Sequence, residues 1–423
     1  MKNIKKYFVV LLAVLVLVGC SSGSGSKGNT DIVTEVPAGT EITFWHAMNG
    51  GQQDALVKIT EDFMAANPNI KVTLQNQSKY PDLQSKINQT IASPKDLPTI
   101  TQAYPNWLWN AATQDKVLVD LDPFINHETI GLKDKADILP VLMNGAKIDG
   151  VQYGIPFNKS TEVLYYNKTL LDQYGVQVPT TMEELASASK EIFEKSNGQV
   201  IGAGFDSLNN YYAIGMANEG KEFTKDLDIA GPESLKVAKF YQDGVKEGYF
   251  RIADKGEYLS TPFGAGLLAM NVGSMAGESH VKKAVDGRYE YGAAVRPDVK
   301  NIQQGTDIYM FNSATPEQQT AAFLYMSYLV SPEAQLHWAT KTGYMPVSAK
   351  VQASDDYKNS GSLIAKILSD ATKDLFAIPV IENSDPAYNK TREMMELILS
   401  DPSSDAQAIL NDYKVKVEAE WNQ

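Results

Sequence analysis

The sequence predicts an α/β protein of two lobes with a ligand cleft between them. Three observations predict it. Strand-like and helix-like segments alternate from about residue 41 onward. The alternation halts and restarts after residue 160, and no Gly/Pro/Ser-rich linker separates the two runs. The ~400 residues beyond the N-terminal segment are enough for two such lobes.

The first run reads as β-α-β-α-β. Residues 41–45 form a buried strand. Residues 52–66 form an amphipathic helix with Leu56, Ile59 and Phe63 on one face, stopped by Asn67-Pro68. Ile70, Val72 and Leu74 alternate as a strand, 83–92 is a second helix, and 99–103 a third strand. That order predicts a mostly parallel sheet covered by helices. In the second run, 162–166 is a strand. Thr180 is the expected cap of the next helix, with Glu183 completing a capping box. A strand over 199–205, a helix over 233–246 ending near Gly248, and strands over 266–270, 289–295 and 307–311 follow. Thr315 with Pro316 and Ser331 with Pro332 open two more helices, the second ending at Gly343. Open α/β sheets bind ligands at the carboxyl ends of their strands, and two lobes can close on a ligand by hinge motion.

The N-terminus carries an address. Lys2, Lys5 and Lys6 precede an unbroken apolar run over 8–18, a signal-peptide pattern too short for a comfortable membrane span. The run ends in Leu17-Val18-Gly19-Cys20, which resembles a bacterial lipobox whose cysteine is acylated. Residues 1–19 are thus expected to be a signal peptide. Residues 20–39 are expected to be a lipidated Cys20 with a flexible Gly/Ser tether. Cys20 is the one cysteine, so neither an internal disulfide nor a thiolate metal site is available. The formal net charge of −13 argues against nucleic acid and against anionic lipid surfaces as partners. It leaves an anionic small ligand open, because exposed charges beyond about 8 Å are largely screened.

Catalytic signatures are sparse. There is no Walker loop and no HExxH, and His46, His127, His280 and His337 are scattered. Gly273-Ser274-Met275-Ala276-Gly277 lacks the first glycine of a GxSxG elbow. Residues 264–269 fit GxGxxA without a βαβ context, and Glu183-Glu184 falls on a helix surface rather than facing a second carboxylate. No cofactor or metal is expected. An enzyme would need two carboxylates facing each other in the cleft. A scaffold or adhesion lipoprotein would need no cleft at all.

Three segments carry a likeness: Phe44-Trp45-His46-Ala47-Met48, the thirteen residues 156–168 (PFNKSTEVLYYNK), and Lys341-Thr342-Gly343-Tyr344-Met345-Pro346. Through them the chain resembles the extracellular solute-binding proteins of bacterial ABC importers, sugar-type, and among these the glycerol-3-phosphate binders. The resemblance spans about residues 40–400. It implies the two-lobed fold of periplasmic binding proteins and a ligand carried to permease subunits. The chain would then be a monomer held at the cell membrane by its lipid alone. Crossing segments are expected near 154–157, 304–309 and 327–332. Lobe 1 is expected to hold 40–155 plus 308–330, and lobe 2 to hold 156–307 plus 331–423.

The resemblance also implies site residues. Tyr80 matches a tyrosine contacting a glyceryl group, and Ser160 a serine on a crossing segment. Ser274 falls near a ligand-contacting serine, Gly305 matches a backbone donor, and Tyr344 with Arg392 matches a phosphate-binding pair. An arginine fork suits two phosphate oxygens, and a phenol and hydroxyls can complete the cage. Each residue type also has a plainer role: aromatic packing for Tyr80 and Tyr344, local capping for Ser160, a surface ion pair for Arg392. The pattern departs from the glycerol-3-phosphate binders where Pro105-Asn106-Trp107 replaces a glutamate after Tyr104 and where Asp206 replaces a tryptophan. Trp107 is therefore a candidate to stack on a sugar face or on a choline. Glycerol-3-phosphate or a glycerophosphodiester is the expected ligand, with a carbohydrate or oligosaccharide as the alternative.

Overall fold

The structure is a computed structural model that describes residues 32–253 and 258–422. The expected signal peptide, Cys20 and most of the tether lie outside the described residues.

Two five-stranded sheets organise the chain. The first has the order Ile70–Asn76, Thr40–His46, Ile100–Ala103, Gln304–Met310, Gly154–Ser160. Its first three strands are parallel, and Gln304–Met310 is antiparallel to both of its neighbours. The second has the order Tyr291–Val295, Glu162–Asn167, Leu268–Ser274, Ile201–Phe205, Phe250–Ile252. Here the last three strands run parallel, and Glu162–Asn167 is antiparallel to both of its neighbours. The chain leaves the first sheet at Ser160 and enters the second at Glu162, with Thr161 alone between them.

The expected elements are largely present. Helix Gly51–Ala66 buries Leu56, Ile59 and Phe63 as its periodicity requires. Thr315 forms a capping box with Gln318, and Gly343 closes helix Pro332–Thr342 in the left-handed conformation. The cap of helix Met182–Lys195 sits one residue later than expected. Thr181 accepts from the Glu184 amide at 3.1 Å, while Thr180 donates its N–H and O–H to the Glu184 carboxylate. The register of the helix face decides this, since Leu185 and Ile192 must point inward.

The lobe boundaries also differ from those expected. Pairing runs from Gln304 opposite Ser160 to Tyr309 opposite Gly154, with one bulge between Thr306 and Asp307, so neither strand is shared between lobes near 155 or 307. Both belong wholly to the first sheet. Helix Pro332–Thr342 packs on helix Gly51–Ala66 and goes with the first lobe as well. The third passage is therefore not at 327–332. Ser348 still bridges to Ile138 in the first lobe. Ser362 and the Leu363 amide bond to Glu278, and helix Leu363–Ala371 packs on strand Tyr291–Val295 of the second lobe. The long helices Ser384–Ser400 and Ala406–Trp421 bury Met394, Met395, Ile398, Leu410 and Val417 in the second-lobe core.

These two strands are locked together within the first sheet, beside the point where the chain leaves it. Lys159 and Asp307 form a fully buried ion pair at 2.5 Å. Gly305 has φ +92°, and a Cβ there would lie 2.0 Å from the Asn158 carbonyl oxygen. Only glycine fits so close a backbone approach at that dihedral.

Candidate functional site

The carboxyl ends of the strands deliver the site. In the first lobe, strand Ile70–Asn76 leads to Tyr80, the first residue of helix Tyr80–Thr90, and strand Ile100–Ala103 leads directly to Tyr104 and Trp107. In the second lobe, Ile201–Phe205 leads to Asp206, Leu268–Ser274 ends at Ser274, and Tyr258 stands just before helix Ser260–Gly264.

The first-lobe wall is an aromatic cluster built on a hydrogen-bonded network. The Tyr80 ring meets Tyr104 edge-on at 5.7 Å and Trp107 at 6.2 Å, and Tyr104 lies 5.0 Å from Trp107. Gln102 and Thr306 donate to the side-chain Oδ1 of Asn158, which turns its Nδ2 to donate to the Tyr80 phenol at 2.9 Å. The Tyr80 and Tyr344 hydroxyls share a hydrogen bond at 3.0 Å. Tyr344 stacks on the buried Trp338 at 5.4 Å, so its ring is held from behind. Burial pushes the Tyr80, Tyr104 and Tyr344 phenols above their ordinary range and keeps them protonated.

The second-lobe wall is charged. Glu162 is fully buried. Its Oε1 accepts from Asn210 at 2.9 Å and from Gln304, and its Oε2 has no partner. Burial pushes its carboxyl up to about 7, and the Asp206 charge adds to the effect. Asp206 Oδ1 accepts from Tyr211 at 3.0 Å and Ser207 at 3.2 Å, and burial raises its carboxyl to about 6. The Arg392 guanidinium is exposed, donates to Asn209 Oδ1 from Nε and Nη2, and attracts Asp206. Tyr258 feels the charge of Asp206 and Arg392 from its own lobe and the Tyr344 phenol from the other.

The walls meet at several points. Ser160 Oγ and Ser274 Oγ hydrogen-bond at 2.5 Å across the crossing. Asp385, at the start of helix Ser384–Ser400, accepts from Gln84 at 2.7 Å and Asn106 at 3.1 Å of the first lobe. Burial raises its carboxyl to about 6. Gln52 donates to the Ala276 carbonyl at 2.9 Å.

The expected site residues thus fall into groups. Tyr80, Trp107 and Tyr344 come together in the first wall, and Ser160 pairs with Ser274. Gly305 lies beside them, its carbonyl 3.4 Å from Lys159 Nζ. Arg392 stands on the opposite wall, bonded to Asn209 rather than to Tyr344. Sequence reasoning missed Tyr104, Asn158, Glu162, Tyr258, Tyr388 and Asp385. Glu162 did carry a signal: it is a lone carboxylate opening the apolar strand Glu162–Asn167, where a charge would be costly without a purpose.

A family model described as bacterial extracellular solute-binding protein matches residues 58–365. The chain belongs to that family. The sn-glycerol-3-phosphate-binding periplasmic protein UgpB of Escherichia coli K12 is 25% identical over 354 residues, which is 77% of each chain. Among solved structures, UgpB from Mycobacterium tuberculosis in complex with glycerophosphocholine superposes with a TM-score of 0.81 at 18% identity. That match covers 91% of this chain and 99% of the other. The GacH receptor of Streptomyces glaucescens, solved unliganded and with acarbose, gives a TM-score of 0.78 at 20% identity, covering 92% and 100%. The two-lobed binding-protein fold is therefore shared with proteins of different ligands. Family membership makes this an extracellular solute-binding protein. No helix among the described residues is long and apolar enough to cross a membrane.

Proposed function

We propose that this solute-binding protein captures a glycerophosphodiester, or glycerol-3-phosphate itself, between its lobes and passes it to the permease of an ABC importer. The observation that carries this reading is Arg392, a guanidinium on the second wall within electrostatic reach of Asp206, Tyr258 and Tyr388. A planar fork there suits a phosphate oxygen pair, with the Tyr344 hydroxyl approaching from the facing wall. Ser160 and Ser274 would add hydroxyl donors. The aromatic wall would take a headgroup such as choline on the face of Trp107. The names of the UgpB relatives agree with this ligand class.

A second reading, a carbohydrate, is favoured by the clustered rings of Tyr80, Tyr104 and Trp107, which offer apolar faces to a sugar. The test is calorimetry with glycerol-3-phosphate, glycerophosphocholine and maltose, on wild type and Arg392→Ala. Loss of phosphate-ligand binding in the variant is expected. Unchanged affinity for those ligands would remove the phosphate reading and leave the carbohydrate one.

The lipobox at Cys20 completes the proposal. A lipid anchor and Gly/Ser tether would keep the trap near its transporter and raise the local concentration of one at the other. Cys20→Ala is expected to release the protein into the medium with its ligand affinity intact.

A further inference from the structure

We propose that Glu162 is the specificity-determining residue of the second wall, taking a hydroxyl of the captured solute through its free Oε2. The inference rests on the reading that solute binds between the lobes. It holds for either ligand class, because glycerophosphodiesters and sugars both present hydroxyl donors.

The geometry is that of a half-used acceptor. An ionised carboxylate offers about four acceptor positions. Asn210 and Gln304 converge on Oε1, and Oε2 is buried with no partner. Buried polar atoms are nearly always paired, so an orphan carboxylate oxygen needs an explanation. Part of its charge answers the buried Arg296 guanidinium, but Oε2 itself meets no donor. Two amide groups could equally well be met by glutamine, which would avoid the desolvation of a carboxylate.

The surroundings hold the group rigidly. Glu162 is the first residue after the crossing, so its backbone is set by both sheets. Its carbonyl accepts from Asn301 at 2.7 Å. Asn210 is in turn fixed by the Tyr388 hydroxyl. The residue sits at the cleft end of its strand, because Glu162 pairs with Ser274, the last residue of strand Leu268–Ser274. A positioned acceptor of this kind can discriminate by hydroxyl, because a ligand without the donor leaves the buried oxygen unpaired.

The experiment is a cycle of residue against hydroxyl. Affinities of glycerophosphocholine, phosphocholine and maltose are measured by calorimetry on wild type and Glu162→Gln, with Tm recorded for both proteins. Phosphocholine keeps the phosphate and the choline but lacks the glycerol hydroxyls. The variant is expected to weaken glycerophosphocholine at least about tenfold while changing phosphocholine less than about twofold. If maltose alone binds wild type, the expected result is the same tenfold loss for maltose. Equal losses for glycerophosphocholine and phosphocholine would show that Glu162 only supports the fold, and unchanged affinities would show that it does not touch the solute. Either result overturns the inference and leaves the proposed function standing. Failure of all three compounds to bind wild type would instead overturn the proposed function, and this inference with it.

Discussion

The two walls of the cleft solve different problems. The first-lobe wall is aromatic and internally satisfied. Asn158 takes two donors and gives one, Tyr80 bridges Asn158 and Tyr344, and Trp338 backs Tyr344. The second-lobe wall is left wanting. Glu162 has an unpaired buried oxygen, Asp206 lies nearby with a raised carboxyl, and Arg392 is exposed beside them. The difference teaches how a binding cleft can divide its labour. One wall is preorganised as a shape and costs nothing to keep. The other stores unsatisfied charge that a ligand can neutralise, so affinity is concentrated where the fold alone is least comfortable.

The largest expected effect removes the lock between the two first-sheet strands from which the chain crosses to the second wall. Asp307→Ala leaves Lys159 charged and alone between the crossing strands. It should cost roughly 3–5 kcal/mol of stability in denaturant unfolding. A loss below about 1 kcal/mol would mean that the pair is not the lock between those strands. Next, Arg392→Ala should cost roughly 1.5–3 kcal/mol of binding to glycerophosphocholine by calorimetry, with little change in Tm, because the side chain is exposed. Tyr80→Phe attacks the satisfied wall instead. It removes the acceptor for the Asn158 amide and the partner of Tyr344, and should cost about 1–3 kcal/mol of stability. If Tyr80→Phe proved harmless to folding while Arg392→Ala melted the protein, the contrast between the walls would be reversed.

A smaller effect sharpens the contrast through pH. The Glu162 carboxyl is raised from 4.5 to about 7, so the native state holds its proton more tightly than the unfolded chain does. The burial cost is fully present above about pH 7 and is relieved as pH falls toward 4.5. Wild type should therefore gain Tm relative to Glu162→Gln between pH 8 and pH 5.5. His46, lowered to about 4 by burial, and the lowered His280 and His337 pull the other way, but in both proteins alike. Parallel Tm curves for the two proteins would refute a charged Glu162 at high pH. The smallest effect concerns the contact between lobes. Asp385→Ala removes the acceptor of Gln84 and Asn106 and should weaken ligand binding only a few-fold, read as a faster off-rate.

Much of the scaffold was legible because its signals are local. Phe63 with Leu56 and Ile59 marks a helix face, Thr315-Pro316 a start and Gly343 a stop, and each works within one or two turns of chain. The strand ends that carry Tyr80, Tyr104, Trp107 and Asp206 follow from the same alternation. The thirteen residues around Ser160 carried a family likeness, yet they did not reveal that strand Gly154–Ser160 belongs wholly to the first sheet. That is decided by its pairing with Gln304–Met310, about 150 residues away.

By itself the sequence determined an α/β protein of two lobes, with aromatic and hydroxyl-bearing residues at the carboxyl ends of its strands, because periodicity and capping are local physics. Only the tertiary structure decided which of those residues share a wall, where the chain crosses between lobes, and that Glu162 is buried with one oxygen free. Burial and pairing are properties of surroundings contributed by distant segments: Asn210, Gln304 and Asp206 act on Glu162 from three different elements. The cost or use of its charge exists only once those elements have come together.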